Sequence, residues 1–209
     1  MLSLLLDPSS VPLLQRHGTA LRHALTPSDV LLLARARDAF HCCWLLPLAL
    51  YLLTDPQPKL PASISWTIRR GAPRAVHHAA WLLGWLLLAR VLLARGDLAV
   101  RLFFAQMLAT GVIGVILFPL GRSPRADRIH WCASLAYMCD HIVACGLLGV
   151  APPYVRAFCA AFALMAAASL AERALGARRR WVRVAELCFM LGEYGLFISF
   201  VCGSERGRP

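Results

Sequence analysis

The feature that most limits the fold of this chain is a set of long apolar runs separated by short polar segments. In lipid, every backbone polar group must be satisfied within the protein, so only helices and closed barrels cross a bilayer. The runs are continuous rather than alternating, which favours helices. Hydrophobic residues make up 59% of the chain, against about 45–50% in a soluble domain. We therefore predict an all-α membrane protein, a bundle of six transmembrane helices at about 38–54, 75–94, 98–120, 129–150, 153–172 and 181–202.

This interpretation divides the chain into a tail at 1–37, a membrane domain at 38–203 and a short tail at 204–209. The N-terminal tail contains a helix start, because Thr26 suits the N-cap, Pro27 the first helical position and Asp29 the positive end of the helix dipole. Six spans place both termini on the same side. The basic residues are nearly balanced between the two sides, so the positive-inside rule does not fix the orientation.

Charge and cysteine content limit the partners. The formal net charge is +11, but the arginines are spread over every loop and tail, which is typical of contacts with lipid phosphates and not of a nucleic-acid surface. The 8 cysteines form no C-x-x-C pair and nearly all lie in apolar runs, where they act as small buried hydrophobic residues. We predict membrane lipids as partners, and no nucleic acid, metal or cofactor.

The polar stretch at 60–76 interrupts two apolar runs and is the first candidate for function, since loops carry function more often than spans do. Hydroxyl groups are followed there by arginines, a combination suited to phosphate. The alternative is that the arginines only anchor the loop at the membrane interface. The hydroxyl and arginine side chains are Ser63, Ser65, Thr67, Arg69, Arg70 and Arg74.

The fourth run is the most polar one, and ionisable groups inside a span suggest function. Steps of four, three and four residues place a stripe of polar side chains on one helical face, and an aspartate lies beside its last member. The sixth run adds two glutamates seven residues apart. The residues concerned are His130, Ser134, Tyr137, Asp140, His141, Glu186 and Glu193.

Three interpretations of these groups remain open. They bind a polar headgroup, with His130 near the polar loop; they form an acid–base or metal-dependent hydrolase built on Asp140 and His141; or they bond neighbouring helices to one another. His130 and His141 are about 16 Å apart along one helix at ~1.5 Å per residue, so they cannot share a metal. No G-x-S-x-G or H-E-x-x-H motif occurs. We assign no catalytic residue and favour binding over enzyme activity.

Three features together suggest a relationship. The first polar loop reads P-A-S-I-S-W-T-I at 61–68, followed by Gly71, Pro73 and Arg74. The third run carries two glycines and ends at Phe118-Pro119, and a histidine opens the fourth. The last run contains Glu193-Tyr194. Over about residues 38–203, this arrangement resembles the Frag/DRAM/Sfk family of six-span membrane proteins.

The resemblance implies a role in GPI-anchor lipid remodelling or lipid sorting in the Golgi or endoplasmic reticulum. It also implies cytosolic termini and a lumenal polar loop. Arginines replace the acidic residues of the family's loop, which favours a phosphorylated headgroup, such as that of a GPI anchor. The expected headgroup-binding residues are Ser63, Ser65, Thr67, Arg69, Arg70, Arg74 and His130.

The N-terminal segment also allows a different function. The arginine-rich segment before Asp38 resembles a mitochondrial transit peptide in its bias. It suggests a non-catalytic structural subunit of an organellar membrane complex. A lysosomal membrane is a further location compatible with the family resemblance.

Overall fold

The computed structural model describes residues 10–54, 67–68, 71–118, 123–147 and the separate positions 159–160, 163–164, 167 and 171. Within these residues the chain is helical and contains no strand. Its elements are α1 (Ser10–Ala24), α2 (Pro27–Thr54), α3 (Gly71–Arg95), α4 (Leu98–Gly111), a π-helix (Val112–Leu117) that continues α4, and α5 (Pro124–Leu147). The all-α prediction is confirmed for this part of the chain.

Helix α2 starts where the sequence indicated. The Thr26 hydroxyl accepts a hydrogen bond from the Asp29 backbone N–H at 3.3 Å, and the Asp29 carboxylate accepts one from the Thr26 N–H at 2.8 Å. This reciprocal arrangement is a capping box with aspartate in place of glutamate. The helix then continues past Pro47 to Thr54, so the predicted first span is the second half of one longer helix.

Helices α3 and α4 are separated by a two-residue turn at Gly96-Asp97. A Cβ on Gly96 would lie 2.6 Å from the Leu92 carbonyl oxygen, so only glycine fits there. Asp97 caps α4 by accepting a hydrogen bond from the Val100 N–H at 2.9 Å. The gap predicted between the second and third runs is therefore formed by a close approach that requires glycine and by the Asp97 cap.

A π-helix completes the third apolar run. The Phe118 N–H donates to the Ile113 carbonyl at 3.2 Å, five residues back, which is the wide hydrogen bond of a π turn. The next residue, Pro119, has no N–H. The Gly114 carbonyl therefore has no backbone donor five residues on, and a side chain from another helix can bond to it.

The tightest packing joins α2 and α3, which run antiparallel. Phe40 and Trp85 meet edge to face with ring centroids 5.9 Å apart. A Cβ on Gly84 would lie 2.9 Å from the Phe40 ring, so this glycine lets the two helices approach. Trp81 and Trp85 are both buried and meet edge to face along α3, with ring centroids 5.9 Å apart.

The chain direction defines two ends of the bundle. One end, called the Asp29 end below, holds the start of α2, the end of α3 and the start of α4, joined by the Asp29–Arg95 ion pair. Helix α1 packs against α5 and reaches this end through His17, which bonds to Asp97 at 2.6 Å. The opposite end, called the π-helix end, holds the start of α3, the π-helix and the start of α5.

Among the described residues, α3 is the single helix that is long and apolar enough to cross a membrane, and Leu98–Gly114 is a shorter apolar segment. The outward faces of α2, α3, α4 and α5 nevertheless carry large exposed leucines, such as Leu53 at 82% and Leu86 at 69%. The fifth and sixth predicted runs lie almost wholly outside the described residues. The six-span bundle therefore stays a prediction.

Candidate functional site

The polar stripe of α5 lies against α4 and its π-helical continuation. His130 is buried, and its Nδ1–H contacts the Gly114 carbonyl at 2.7 Å and the Phe118 carbonyl at 3.0 Å. One turn on, Ser134 lies against Gly114, where an added Cβ would come within 3.5 Å of the serine hydroxyl. Tyr137 lies against Gly111 in the same way, at 3.1 Å. The prediction that these side chains share a face is confirmed.

The two glycines of the third run, Gly111 and Gly114, lie at close approaches between helices. A Cβ on Gly111 would lie 2.6 Å from the ring of Trp81, and one on Gly114 would lie 3.1 Å from the Cβ of Ala133. Small residues at both positions let α3 and α5 approach the third run closely, as is usual between membrane helices.

Asp140 is fully buried, at 0% exposure, and bonds to α4. Its Oδ1 lies 2.9 Å from Gln106 Nε2, and its Oδ2 lies 3.0 Å from Thr110 Oγ1. His141 is also buried, and its Nδ1–H donates to the Tyr137 carbonyl at 2.8 Å. The Tyr137 and His141 rings meet edge to face at 4.5 Å. These contacts support the interpretation that the polar groups of α5 bond neighbouring helices to one another.

At the π-helix end, two predicted headgroup residues meet the same backbone segment. Arg74 is half-buried, and its Nη2 donates to the Ile116 carbonyl at 3.4 Å. His130 bonds to the carbonyls on either side of Ile116. The backbone carbonyls of this segment thus accept hydrogen bonds from one arginine of α3 and from one imidazole of α5. Thr67 is buried, at 2% exposure, so its hydroxyl does not face solvent.

His77 lies in the same half of α3. It is fully buried, and its ring meets Trp44 of α2 edge to face at 4.7 Å. Within the described residues, neither of its ring nitrogens has a hydrogen-bond partner. Imidazole in an apolar contact of this kind contributes to packing.

The remaining predicted residues fall outside the described part of the chain. They are Ser63, Ser65, Arg69, Arg70, Glu186 and Glu193. The structure therefore tests the predicted headgroup set only through Thr67, Arg74 and His130. Of these, Arg74 alone combines a positive charge with partial exposure.

The two ends differ in charge pairing. At the Asp29 end, Asp29 Oδ2 accepts hydrogen bonds from the Thr26 hydroxyl at 2.6 Å and from Arg95 Nε at 2.8 Å. Burial raises the pKa of Asp29, but the Thr26 hydrogen bonds and Arg95 outweigh it, so the pKa lies below its usual range. The pKa of Asp97 is also lowered, mainly by the Val100 N–H, with burial opposing and His17 assisting.

Sequence reasoning missed two residues at the α4–α5 interface. Gln106 and Thr110 are polar residues four positions apart in an apolar run, a spacing that puts them on one helical face. That signal could have identified them as partners for a carboxylate on a neighbouring span. The docking of α1 through His17 had no comparable signal, because it depends on a contact between residues far apart in the chain.

The hydrolase interpretation finds little support in this geometry. Asp140 and His141 are buried at 0% and 2% exposure, and both carboxylate oxygens contact α4. No group of three or more His, Cys, Asp or Glu side chains that could hold a metal occurs in the described residues. Within the described part of the chain, a substrate or a metal therefore has no evident access to this pair.

No family model, curated protein or solved structure matches this chain. The function is therefore argued below from its own residues and from the resemblance of its motifs.

Proposed function

We propose that the chain is a multi-pass membrane protein of the secretory pathway that supports GPI-anchor lipid remodelling or lipid sorting. It binds a phosphorylated lipid headgroup at the π-helix end. The proposal joins the family resemblance of the loop motif to three features of the described residues: apolar outer faces, a basic end and an exposed helix N-terminus.

The membrane location is supported by the outer faces of the helices. Leu45, Leu86, Leu102 and Leu135 lie on four different helices, and each is at least half exposed. Single exposed leucines are ordinary in soluble proteins. Leucines on the outside of every long helix are what a lipid environment requires, because there the apolar faces meet acyl chains instead of water.

The headgroup site is supported by Arg74, which is the observation that carries this part of the proposal. Its bond to the Ile116 carbonyl is long, at 3.4 Å, and uses one of five guanidinium N–H donors. Arg74 itself belongs to the first turn of α3, which has no acidic residue and begins at exposed Gly71 and Ala72. Helix N-termini and arginine both favour phosphate oxygens.

Gly71 gives this turn its shape. It has a φ of +72°, a conformation that glycine adopts without strain. The loop sequence before it contributes Arg69 and Arg70. The proposed site thus combines a backbone turn, the first N–H groups of a helix and a cluster of arginines.

The test uses the full chain purified in nanodiscs of phosphatidylcholine containing phosphatidylinositol. Arg74→Met and Arg70→Ala are expected to lower the phosphatidylinositol retained on the protein, measured by native mass spectrometry. Arg125→Met is the matched control, because Arg125 is exposed at the start of α5 at the same end. Equal phosphatidylinositol retention by all three variants and the wild type would refute the proposed headgroup site.

A cellular experiment tests the pathway separately. In cells lacking the chain, the wild type is expected to restore the surface level of GPI-anchored proteins, and Arg74→Met to restore it less well. A C-terminal fluorescent tag reports the compartment. A mitochondrial pattern would refute the secretory proposal and favour the alternative, a structural subunit of an organellar complex.

A further inference from the structure

One carboxyl group of the described residues lies in the interior of the bundle without a cation. The ion pairs of the described residues involve Asp29, Asp38 and Asp97, and none involves Asp140. Asp140 is fully buried, and its contacts on α4 are an amide and a hydroxyl. A buried carboxylate without a counter-charge is strongly disfavoured unless it takes up a proton or a cation.

The hydroxyl of Thr110 shows whether a proton or a cation fits beside Asp140. Its oxygen lies 2.9 Å from the Met107 carbonyl and 3.0 Å from Asp140 Oδ2. A hydroxyl carries one hydrogen and can also accept, whereas a carbonyl and an ionised carboxylate can only accept. With Asp140 ionised, one hydrogen must serve two acceptors. With Asp140 protonated, both contacts are complete hydrogen bonds.

We propose that Asp140 is a proton-binding site inside the bundle, occupied at neutral pH. Asp140 Oδ2–H donates to Thr110 Oγ1, and the Thr110 hydroxyl donates to the Met107 carbonyl. Asp140 Oδ1 remains a carbonyl oxygen and accepts from Gln106 Nε2. This assignment satisfies every polar atom in the contact and leaves no net charge in the apolar interior.

Within the described residues, the elements packed around Asp140 supply no fixed positive charge to it. On α5 the titratable neighbours are Cys139, His141 and, one turn back, Tyr137, and the π-helix has no titratable group. On α4 the one charged side chain is Arg101, which is exposed and bonds to the Gly96 carbonyl. Helix α1 also packs against α5; its titratable groups are Arg16, His17, Arg22 and His23, of which His17 binds Asp97.

Gln106 connects the site to the outer face of α4. Its side chain is exposed there, and its amide donates to Asp140 Oδ1. The site goes beyond headgroup binding, since it lies within the α4–α5 interface and not at the π-helix end. Its ligand is a proton.

The test is infrared spectroscopy of the full chain in nanodiscs at neutral pH. The wild type is expected to show a protonated-carboxyl C=O band that shifts in D₂O and is lost in Asp140→Asn. Asp38→Asn is the control, because Asp38 is 61% exposed and paired with Arg37, and it should leave the band unchanged. Thr110→Val should shift the band without removing it, and Thr110→Ser should not.

Two outcomes would overturn the proposal. One is a wild-type spectrum at neutral pH that equals the Asp140→Asn spectrum in the carboxyl region. The other is a melting temperature that rises in sodium chloride relative to choline chloride for the wild type but not for Asp140→Asn, because it identifies an ionised cation ligand. Should Asp140→Asn not fold, the band of the wild type and its shift in Thr110→Val decide the question instead.

Discussion

The Asp29 end and the π-helix end join the same helices by different means. At the Asp29 end, carboxylates pair with basic side chains: Asp29 with Arg95, and Asp97 with His17. At the π-helix end, Arg74 and His130 bond instead to backbone carbonyls. Both carboxylates of the Asp29 end therefore have a basic partner within the protein, whereas the arginine of the π-helix end has Asp127 as the one described carboxylate at that end.

The local backbone contributes to this difference at the π-helix end. The last carbonyls of a helix lack intrahelical donors, and Pro119 has no N–H to donate to the Gly114 carbonyl. His130 bonds there to the Gly114 and Phe118 carbonyls, and Arg74 bonds to the Ile116 carbonyl. An arginine that bonds to a neutral carbonyl keeps its charge, which is why we propose an anionic headgroup as the ligand of this end.

The largest expected effect is at the close approach beside the π-helix. Gly111→Leu forces a side chain into the Trp81 ring, and we expect a loss of about 3 kcal/mol in the free energy of unfolding. Ala105→Leu is the control, because Ala105 is exposed on the same helix and should change stability by less than about 0.5 kcal/mol. Thermal unfolding in detergent measures both. Equal losses of stability in the two variants would show that close packing at Gly111 does not stabilise the π-helix end.

The second-largest expected effect on stability is at the Asp29 end. Arg95→Met removes the cation from Asp29, whose side chain is 10% exposed, and we expect a loss of about 2 kcal/mol. Arg90→Met, on the exposed face of the same helix, should lose less than about 0.5 kcal/mol. If the two variants unfold alike, the ion pair does not stabilise the Asp29 end.

Acid should weaken the Asp29 end selectively. Folding lowers the pKa of Asp29, so its stabilisation is complete above the unfolded pKa of about 3.9 and is lost as the pH falls through the folded pKa. Each unit of lowering is worth about 1.4 kcal/mol. As the pH is lowered from about 6 to about 2, the free energy of unfolding should therefore fall more steeply for the wild type than for Asp29→Asn. Parallel curves would contradict this account.

The smallest expected effect on stability is at Arg74. Its long bond to one carbonyl contributes little, so Arg74→Met should change the free energy of unfolding by less than about 0.5 kcal/mol, although lipid retention falls. A loss comparable to that of Arg95→Met would mean that Arg74 holds the helices together. The contrast between the two ends would then disappear.

Much of the local structure could be predicted from the sequence. The start of α2 at Thr26, the break at Gly96-Asp97 and the polar face of α5 all follow from short-range rules of capping, sterics and helical spacing. The partners of that face could not be predicted. Asp140 meets Gln106 and Thr110 because α4 and α5 pack in one rotation out of several that their apolar surfaces allow.

The sequence by itself determined that long apolar helices form and where the described ones begin and break, since these properties depend on neighbouring residues. The tertiary structure decided that His130 bonds to the π-helix instead of lining an open site, and that Asp140 faces a hydroxyl and an amide. It also decided that α1 packs onto the bundle through His17. These outcomes depend on which atoms of distant segments meet, and the energy of a buried polar group is set by those partners.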